Sequence, residues 1–188
     1  MNAPDPGAAR DAKKAIRLEV AAALQHMSQA DRARATGRAV AQLELNDAWR
    51  GAKRVMLYAP MPIEPAVDCL WAQRANREFC YPRIVGRELE ARMVTAVTQL
   101  RPAAFGLREP DLNQSTVVDP ATLDLVVVPG LAFTRDGGRL GRGRGYYDRF
   151  LAALPAEVST VALAFACQMR DTLPMESHDY RVQMVFSG

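Results

Sequence analysis

Residues Leu123–Gly130 read LDLVVVPG, and the fold turns on how this run is placed. Three consecutive valines leave no polar residue to face water. The run therefore predicts a central strand covered on both sides, as in a parallel sheet packed between helices. Working outward, RVMLYAP (Arg54–Pro60) and EFCYP (Glu78–Pro82) have the same short apolar character, and AVDCLWAQRAN (Ala66–Asn76) between them has helical spacing. On the other side, YYDRFLAAL (Tyr146–Leu154) predicts a helix, VALAFA (Val161–Ala166) a buried strand and MVFS (Met184–Ser187) a last strand. Strands alternating with helices predict an α/β fold, one domain over residues 1–188, with a mostly parallel sheet covered by helices on both faces.

A weaker strand is read over Leu89–Val97, followed by a polar, proline-containing connection over Leu100–Pro120. At the start of the chain Ile16, Val20, Ala23, Leu24 and Met27 recur at helical spacing, predicting an amphipathic helix over Asp11–Met27. Ser28 with Asp31 three residues on resembles a capping box, and it opens a second helix to about Leu45 with Val40 and Leu43 on its buried side. The fold thus begins with a helical pair. Trp49, Trp71 and Phe79 lie in apolar patterns and are assigned to the core.

The chain has 188 residues, 49% hydrophobic and 24% charged, with a net charge of +3. That is enough apolar content for a sizeable core, and the small positive surplus suits anionic small molecules at least as well as nucleic acid. Cys69, Cys80 and Cys167 have no CxxC spacing and the chain holds only 2 histidines, so a zinc set is not supported and reduced, mostly buried thiols are expected. The N-terminal MNAPDPGAARDAKK lacks a signal-peptide core, and the longest apolar runs, Leu125–Phe133 and Val161–Ala166, are too short to span a bilayer. A cytoplasmic protein with no membrane partner is expected.

The valine strand leads into GRLGRGRGYYDR (Gly138–Arg149). Gly141, Gly143 and Gly145 can take positive φ and let backbone N–H groups come close to one anion. The loop stands between a central strand and a helix starting near Tyr146, where the sheet's carboxyl edge and a helix amino end favour negative charge. Arg139, Arg142 and Arg144 add donors matched to phosphate or carboxylate, and Asp148 could hold Mg²⁺. The pattern is neither a P-loop nor a dinucleotide fingerprint. Two other readings stay open: a solvated arginine loop, and an RNA-binding module of RGG type, although the apolar flanks count against disorder.

Lys13, Lys14 and Arg17 form a basic stripe opposite the apolar face of the first helix, which alone reads as a solvated face. Glu64, in PMPIEP after the first strand, is placed where loops carry ligand-binding groups, or is an ordinary surface glutamate. ESHDYR (Glu176–Arg181) reads as a polar turn, with a metal or general-base role for Glu176, His178 and Asp179 as the alternative. No Ser-His-Asp set or cysteine nucleophile stands out.

KKAIR (Lys13–Arg17), the Y..MPIE pattern (Tyr58–Glu64), LDLVVVPGLAFTRDGGRLGRGRGYYDRFL (Leu123–Leu151) and HDYRV (His178–Val182) together resemble the 5-formyltetrahydrofolate cyclo-ligase family, also called 5,10-methenyltetrahydrofolate synthetases. The likeness spans nearly the whole chain. It implies a fold shared with sugar-phosphate isomerases and CoA transferases, and an ATP- and Mg²⁺-dependent closure of 5-formyltetrahydrofolate to 5,10-methenyltetrahydrofolate, with ADP and phosphate as products. In that chemistry the formyl oxygen is phosphorylated, N10 attacks the activated carbon, and phosphate departs. Positioning and charge neutralisation then matter more than a protein nucleophile.

By position, the resemblance implies ATP contacts from Lys13, Lys14, Arg17 and the segment Arg139, Leu140, Gly141, Arg142, Gly143, Arg144, Gly145, Tyr146 and Tyr147. It implies folate contacts from Met61, Glu64 and Arg142–Tyr146, metal ligation by Asp148 and Asp179, and catalytic roles for Arg142, Tyr146 and Asp148. The protein is expected to act as a monomer on 5-formyltetrahydrofolate and ATP, without nucleic acid. Two positions depart from the family pattern: Arg144 stands where relatives have glycine or lysine, and Gln183 where relatives often have aspartate. A related ATP-dependent enzyme for another N-formyl or a thiamine-related substrate is the neighbouring alternative.

Overall fold

A computed structural model describes residues 6–188; Met1–Asp5, part of the stretch read as lacking a signal-peptide core, lie outside the described residues. Helix α1 (Pro6–His26) is followed by α2 (Gln29–Leu45) and the short α3 (Asp47–Gly51). The boundary between α1 and α2 falls at Ser28, whose Oγ accepts the Asp31 N–H at 3.1 Å. This supplies one of the amide partners that a helix start lacks. The first helix starts before Asp11, so its polar first turns are helical too.

The strands that follow are β1 (Arg54–Met56), β2 (Glu78–Val85), β3 (Glu88–Val94), β4 (Leu100–Pro102), β5 (Arg108–Pro110), β6 (Thr116–Val118), β7 (Leu125–Val127), β8 (Ala132–Phe133) and β9 (Arg139–Leu140). Helix α4 (Tyr146–Ala152), β10 (Ser159–Ala164) and β11 (Met184–Ser187) complete the fold. The main sheet has the order β11-β10-β7-β1-β2-β3-β6. From β11 to β2 every pairing is parallel, whereas β3 and β6 join antiparallel at one edge.

The valine run behaves as its composition requires. Leu125 and Val127 enter one core cluster and Val126 and Val128 the other. The same alternation splits Val55 and Leu57 from Met56, and Phe79 and Tyr81 from Cys80, so both faces of the sheet are dry. One face carries Val40 and Leu43 of α2 together with Trp49, Trp71 and Phe79; the other carries Phe150 and Leu151 of α4. Each such buried side chain contributes about 1.5–3 kcal/mol through surface removed from water. A third cluster fastens Val20 and Leu24 of α1 to Leu131, Leu140 and Phe165.

Three expectations need correction. Val67–Asn76 is a 3-10 helix, wound more tightly than the α-helix that its spacing suggests. The Leu100–Pro120 connection is ordered into the β4–β5 hairpin and edge strand β6, with Phe105 (φ +62) and Gly106 (φ +71) at the hairpin tip. Among the three free thiols Cys80 is buried and Cys69 is exposed; burial pushes Cys80 up to about 12. No described helix is long and apolar enough to cross a membrane.

Candidate functional site

The sheet is uneven at its carboxyl edge. β1 pairs with β2 only as far as Met56↔Cys80, while β2 continues to Val85 along β3. A cavity of about 860 Å³ lies in the resulting notch. Tyr58, Met61, Glu64, Pro82 and Ile84 line it from the β1 and β2 side, and Leu140–Arg149 line it from the other. Residues Arg10, Lys13 and Arg17 of α1 close its third side, and Glu176, His178 and Asp179 its rim. Residues far apart in the chain therefore converge on one space.

The glycine-arginine loop follows the β8–β9 hairpin rather than the valine strand directly. Arg139 and Leu140 belong to β9 and are buried, so the open part of the loop begins at Gly141. Gly143 (φ +93) and Gly145 (φ +69) occupy the left-handed region, as the sequence suggests; Gly141 does not. The decisive feature is the backbone of this bend. Among the described residues no acceptor takes the successive N–H groups from Arg142 through Asp148. Backbone amides are obligatory donors, and a run of them turned to a cavity is an anion-binding concavity.

Each of the arginines is engaged by the protein itself, Arg139 the most deeply buried of them. Arg139, 4% exposed, donates from Nη2 to Asp148 Oδ1 at 2.5 Å and from Nη1 to the Pro129 carbonyl at 3.3 Å. Arg142, partly exposed, donates from Nη2 to Glu64 Oε1 at 2.7 Å, and Glu64 Oε2 accepts the Met61 N–H at 3.0 Å. Arg144 lies over the Phe105 ring at 3.9 Å, and Arg17 Nε donates to the Gly141 carbonyl at 2.9 Å.

The predicted stripe on α1 is rotated. Lys13 is buried, with Nζ 2.5 Å from Asp179 Oδ2 and 2.6 Å from Glu176 Oε2. Burial opposes its charge, but the two carboxylates outweigh this and raise its pKa. Asp179 is correspondingly held low: burial would raise it, and the Lys13 bond more than compensates. Lys14 is exposed and lies off the cavity, because the next residue on a helix points about 100° away. Thus Lys13 and Arg17 come together, four residues apart, and Lys14 does not join them.

Tyr146 lines the cavity, and the Tyr147 hydroxyl is buried with no hydrogen-bond partner among the described residues. Burial and the nearby Glu64 carboxylate push the Tyr147 phenol far up, so it stays protonated. For a hard divalent cation the two candidate carboxylates differ. Asp148 Oδ1 is engaged by Arg139 and by the Tyr180 N–H at 3.3 Å, while its second oxygen accepts no described group; such an oxygen suits Mg²⁺. The ligand atoms of Glu176, His178 and Asp179 lie within 4.8 Å of one another, and two of these groups, Glu176 and Asp179, pair with the Lys13 ammonium.

Sequence reasoning omits Phe105, Tyr58 and Arg149 from the site. The signal for Phe105 is a Phe-Gly pair at the tip of a hairpin bracketed by Pro102 and Pro110. Arg149 has no sequence signal, since two of its partners, the Arg87 carbonyl and Glu88, come from the distant β2–β3 turn.

The model for the 5-formyltetrahydrofolate cyclo-ligase family matches residues 9–188. A Mus musculus protein named 5-formyltetrahydrofolate cyclo-ligase is 28% identical over 188 residues, spanning 93% of this chain and 92% of its own. A Haemophilus influenzae protein of the same name is 32% identical over 137 residues, 69% of this chain and 73% of its own. The NMR structure of Aquifex aeolicus 5,10-methenyltetrahydrofolate synthetase superposes with a TM-score of 0.81 at 29% identity, covering 93% of this chain and 88% of that one. With the family model matching nearly the whole chain, the chain belongs to the 5-formyltetrahydrofolate cyclo-ligase family of enzymes.

Proposed function

We propose that the protein closes 5-formyltetrahydrofolate to 5,10-methenyltetrahydrofolate with consumption of ATP. The observation that carries this reading is the run of unaccepted amides from Arg142 through Asp148, beside the cavity of about 860 Å³. In the proposal these amides, with Arg142 and Arg144, take the triphosphate. Glu64, released from Arg142, accepts hydrogen bonds from the pterin ring, with Met61 beside it and Tyr146 facing it. Lys13 and Arg17 close the nucleotide side.

The chemistry needs the formyl oxygen aligned with the terminal phosphorus. That oxygen attacks, and the bond to the ADP oxygen breaks. N10 then attacks the activated formyl carbon, the carbon–oxygen bond breaks, and phosphate leaves with the N10 proton. Arg142 and the loop amides neutralise charge that develops on the transferring group, which is the main service a protein renders to such a reaction. Magnesium, held by the second oxygen of Asp148 and by the phosphates, would supply further neutralisation of the same charge. The part given to Asp179 is to hold Lys13.

The arginine side chains are turned onto the protein's own groups, Asp148, Glu64 and Phe105, which lends no support to an RNA-binding reading. The test is the near-ultraviolet absorbance of the methenyl product with purified protein, 5-formyltetrahydrofolate and Mg-ATP. Product that requires all three supports the assignment; its absence with folded protein overturns it. ADP release on other N-formyl compounds would redirect the substrate assignment.

A further inference from the structure

A bend that offers its amides must turn its carbonyls away, because C=O and N–H point in opposite directions across a trans peptide. At the first end of the loop the Gly141 carbonyl is held by Arg17 Nε at 2.9 Å, which sends the Arg142 N–H the other way. At the far end the Arg144 carbonyl is held by Arg149 Nη1 at 3.4 Å, which does the same for the Gly145 N–H. Arg149 is fixed from outside the loop. Its Nη2 donates to the Arg87 carbonyl in the β2–β3 turn, its Nε lies 3.4 Å from Glu88 Oε1, and its guanidinium is 5.5 Å from the Tyr146 ring centroid.

Two further facts bear on the contact. At φ +69 Gly145 holds a conformation that favours glycine, and its missing side chain leaves room for Arg149 Nη1, which a Cβ there would approach to 2.8 Å. The guanidinium also reaches back over the amino end of α4, where peptide dipoles disfavour a positive charge. It is held there by two carbonyl acceptors and the ion pair with Glu88.

We propose that Arg149 is a positioning residue for the phosphate bend, acting through the Arg144–Gly145 peptide without touching the phosphates. The proposal rests on the loop being the phosphate cradle. Arg149 couples the bend to the β2–β3 turn, so the amides are fixed to the sheet as well as to α1.

The experiment compares wild type with Arg149→Met, which keeps the apolar stem, and Arg149→Lys, which keeps the charge. The readouts are KM for ATP, KM for 5-formyltetrahydrofolate, kcat, and calorimetric binding of inorganic tripolyphosphate, with melting curves to establish folding. In both variants KM for ATP and the tripolyphosphate Kd should rise roughly tenfold, the effect of about one charge-assisted hydrogen bond. KM for the folate should stay within about twofold, a difference too small to represent a lost contact. A lysine cannot span both carbonyls, so it should not rescue. Unchanged tripolyphosphate affinity in folded Arg149→Met, a proportional rise of both KM values, or full rescue by lysine would overturn the proposal. Wild type that binds tripolyphosphate but makes no methenyl product defeats the folate assignment while Arg149 is still judged by anion affinity. Wild type that binds no tripolyphosphate defeats both.

Discussion

The β8–β9 hairpin and the bend that follows it are built from the same two residue types and are held in opposite ways. In the hairpin Arg139 is buried and joined to Asp148, and a Cβ on Gly137 would lie 1.9 Å from the Val182 carbonyl. Asp136 there likewise pairs with Thr134 and Arg181, its Oδ2 2.6 Å from Arg181 Nη1. In the bend, from Gly141 to Gly145, backbone donors lack acceptors and Arg142 rests on a carboxylate that it can leave. Composition alone does not separate scaffold from binding surface; the location of the acceptors does.

This contrast predicts that changes in the hairpin cost stability and changes in the bend cost binding. The largest effect is expected from Arg139→Ala, which strands Asp148 as a mostly buried, unpaired carboxylate. The loss should be about 3 kcal/mol, seen as a fall in Tm of about 6–12 °C for a chain of this size. A fall no larger than that of a surface substitution would erase the distinction between the two regions.

Next comes Gly143→Ala. At φ +93 a side chain is strained, although the nearest atom to its Cβ, Arg17 Cζ at 3.4 Å, leaves room. The strain should be about 1–2 kcal/mol, with weaker tripolyphosphate binding by calorimetry because the bend relaxes.

A smaller effect should appear in the pH dependence of Tm for Asp179→Asn. The folded Asp179 has a pKa below its ordinary 3.8, so its pairing stabilises fully above that value and is lost as pH falls through the depressed one. Lys13, raised above 10.5, keeps its contribution below that value and loses it as pH climbs past the raised one. The difference between wild type and variant should therefore be flat across neutral pH and shrink only at the acid and alkaline extremes.

The smallest change in stability, under about 1 kcal/mol for a partly exposed pair, belongs to Glu64→Gln. It should raise KM for the folate yet tighten tripolyphosphate binding roughly two- to fivefold, because Arg142 no longer has a carboxylate to leave. Weaker anion binding in this variant would show that Glu64 supports the bend and does not compete for it.

Much of the fold is legible wherever a local rule and the tertiary outcome coincide. The unbroken valines of β7 meet two dry faces, and Ser28 meets the Asp31 amide that it must cap. The β4–β5 hairpin is missed because strands of three residues carry too little periodicity to be read. At the site, residue types are legible and pairings are not. Lys13 and Asp179 are both singled out from the sequence, yet their union across 166 positions depends on α1 lying beside the C-terminal segment. Arg149 is missed for the same reason, since its Arg87 and Glu88 partners belong to a turn that only the fold brings near.

The notch left by the short β1 has one more consequence. Beyond Cys80, β2 turns a strand edge toward open space, and such edges invite other chains to pair with them. Here the next position facing that way is Pro82, which has no amide hydrogen, and the Ile84 N–H is taken by Glu109 Oε1 at 3.2 Å. An edge that shows carbonyls without donors cannot template a foreign strand. The cavity can therefore stand open between turnovers without seeding aggregation.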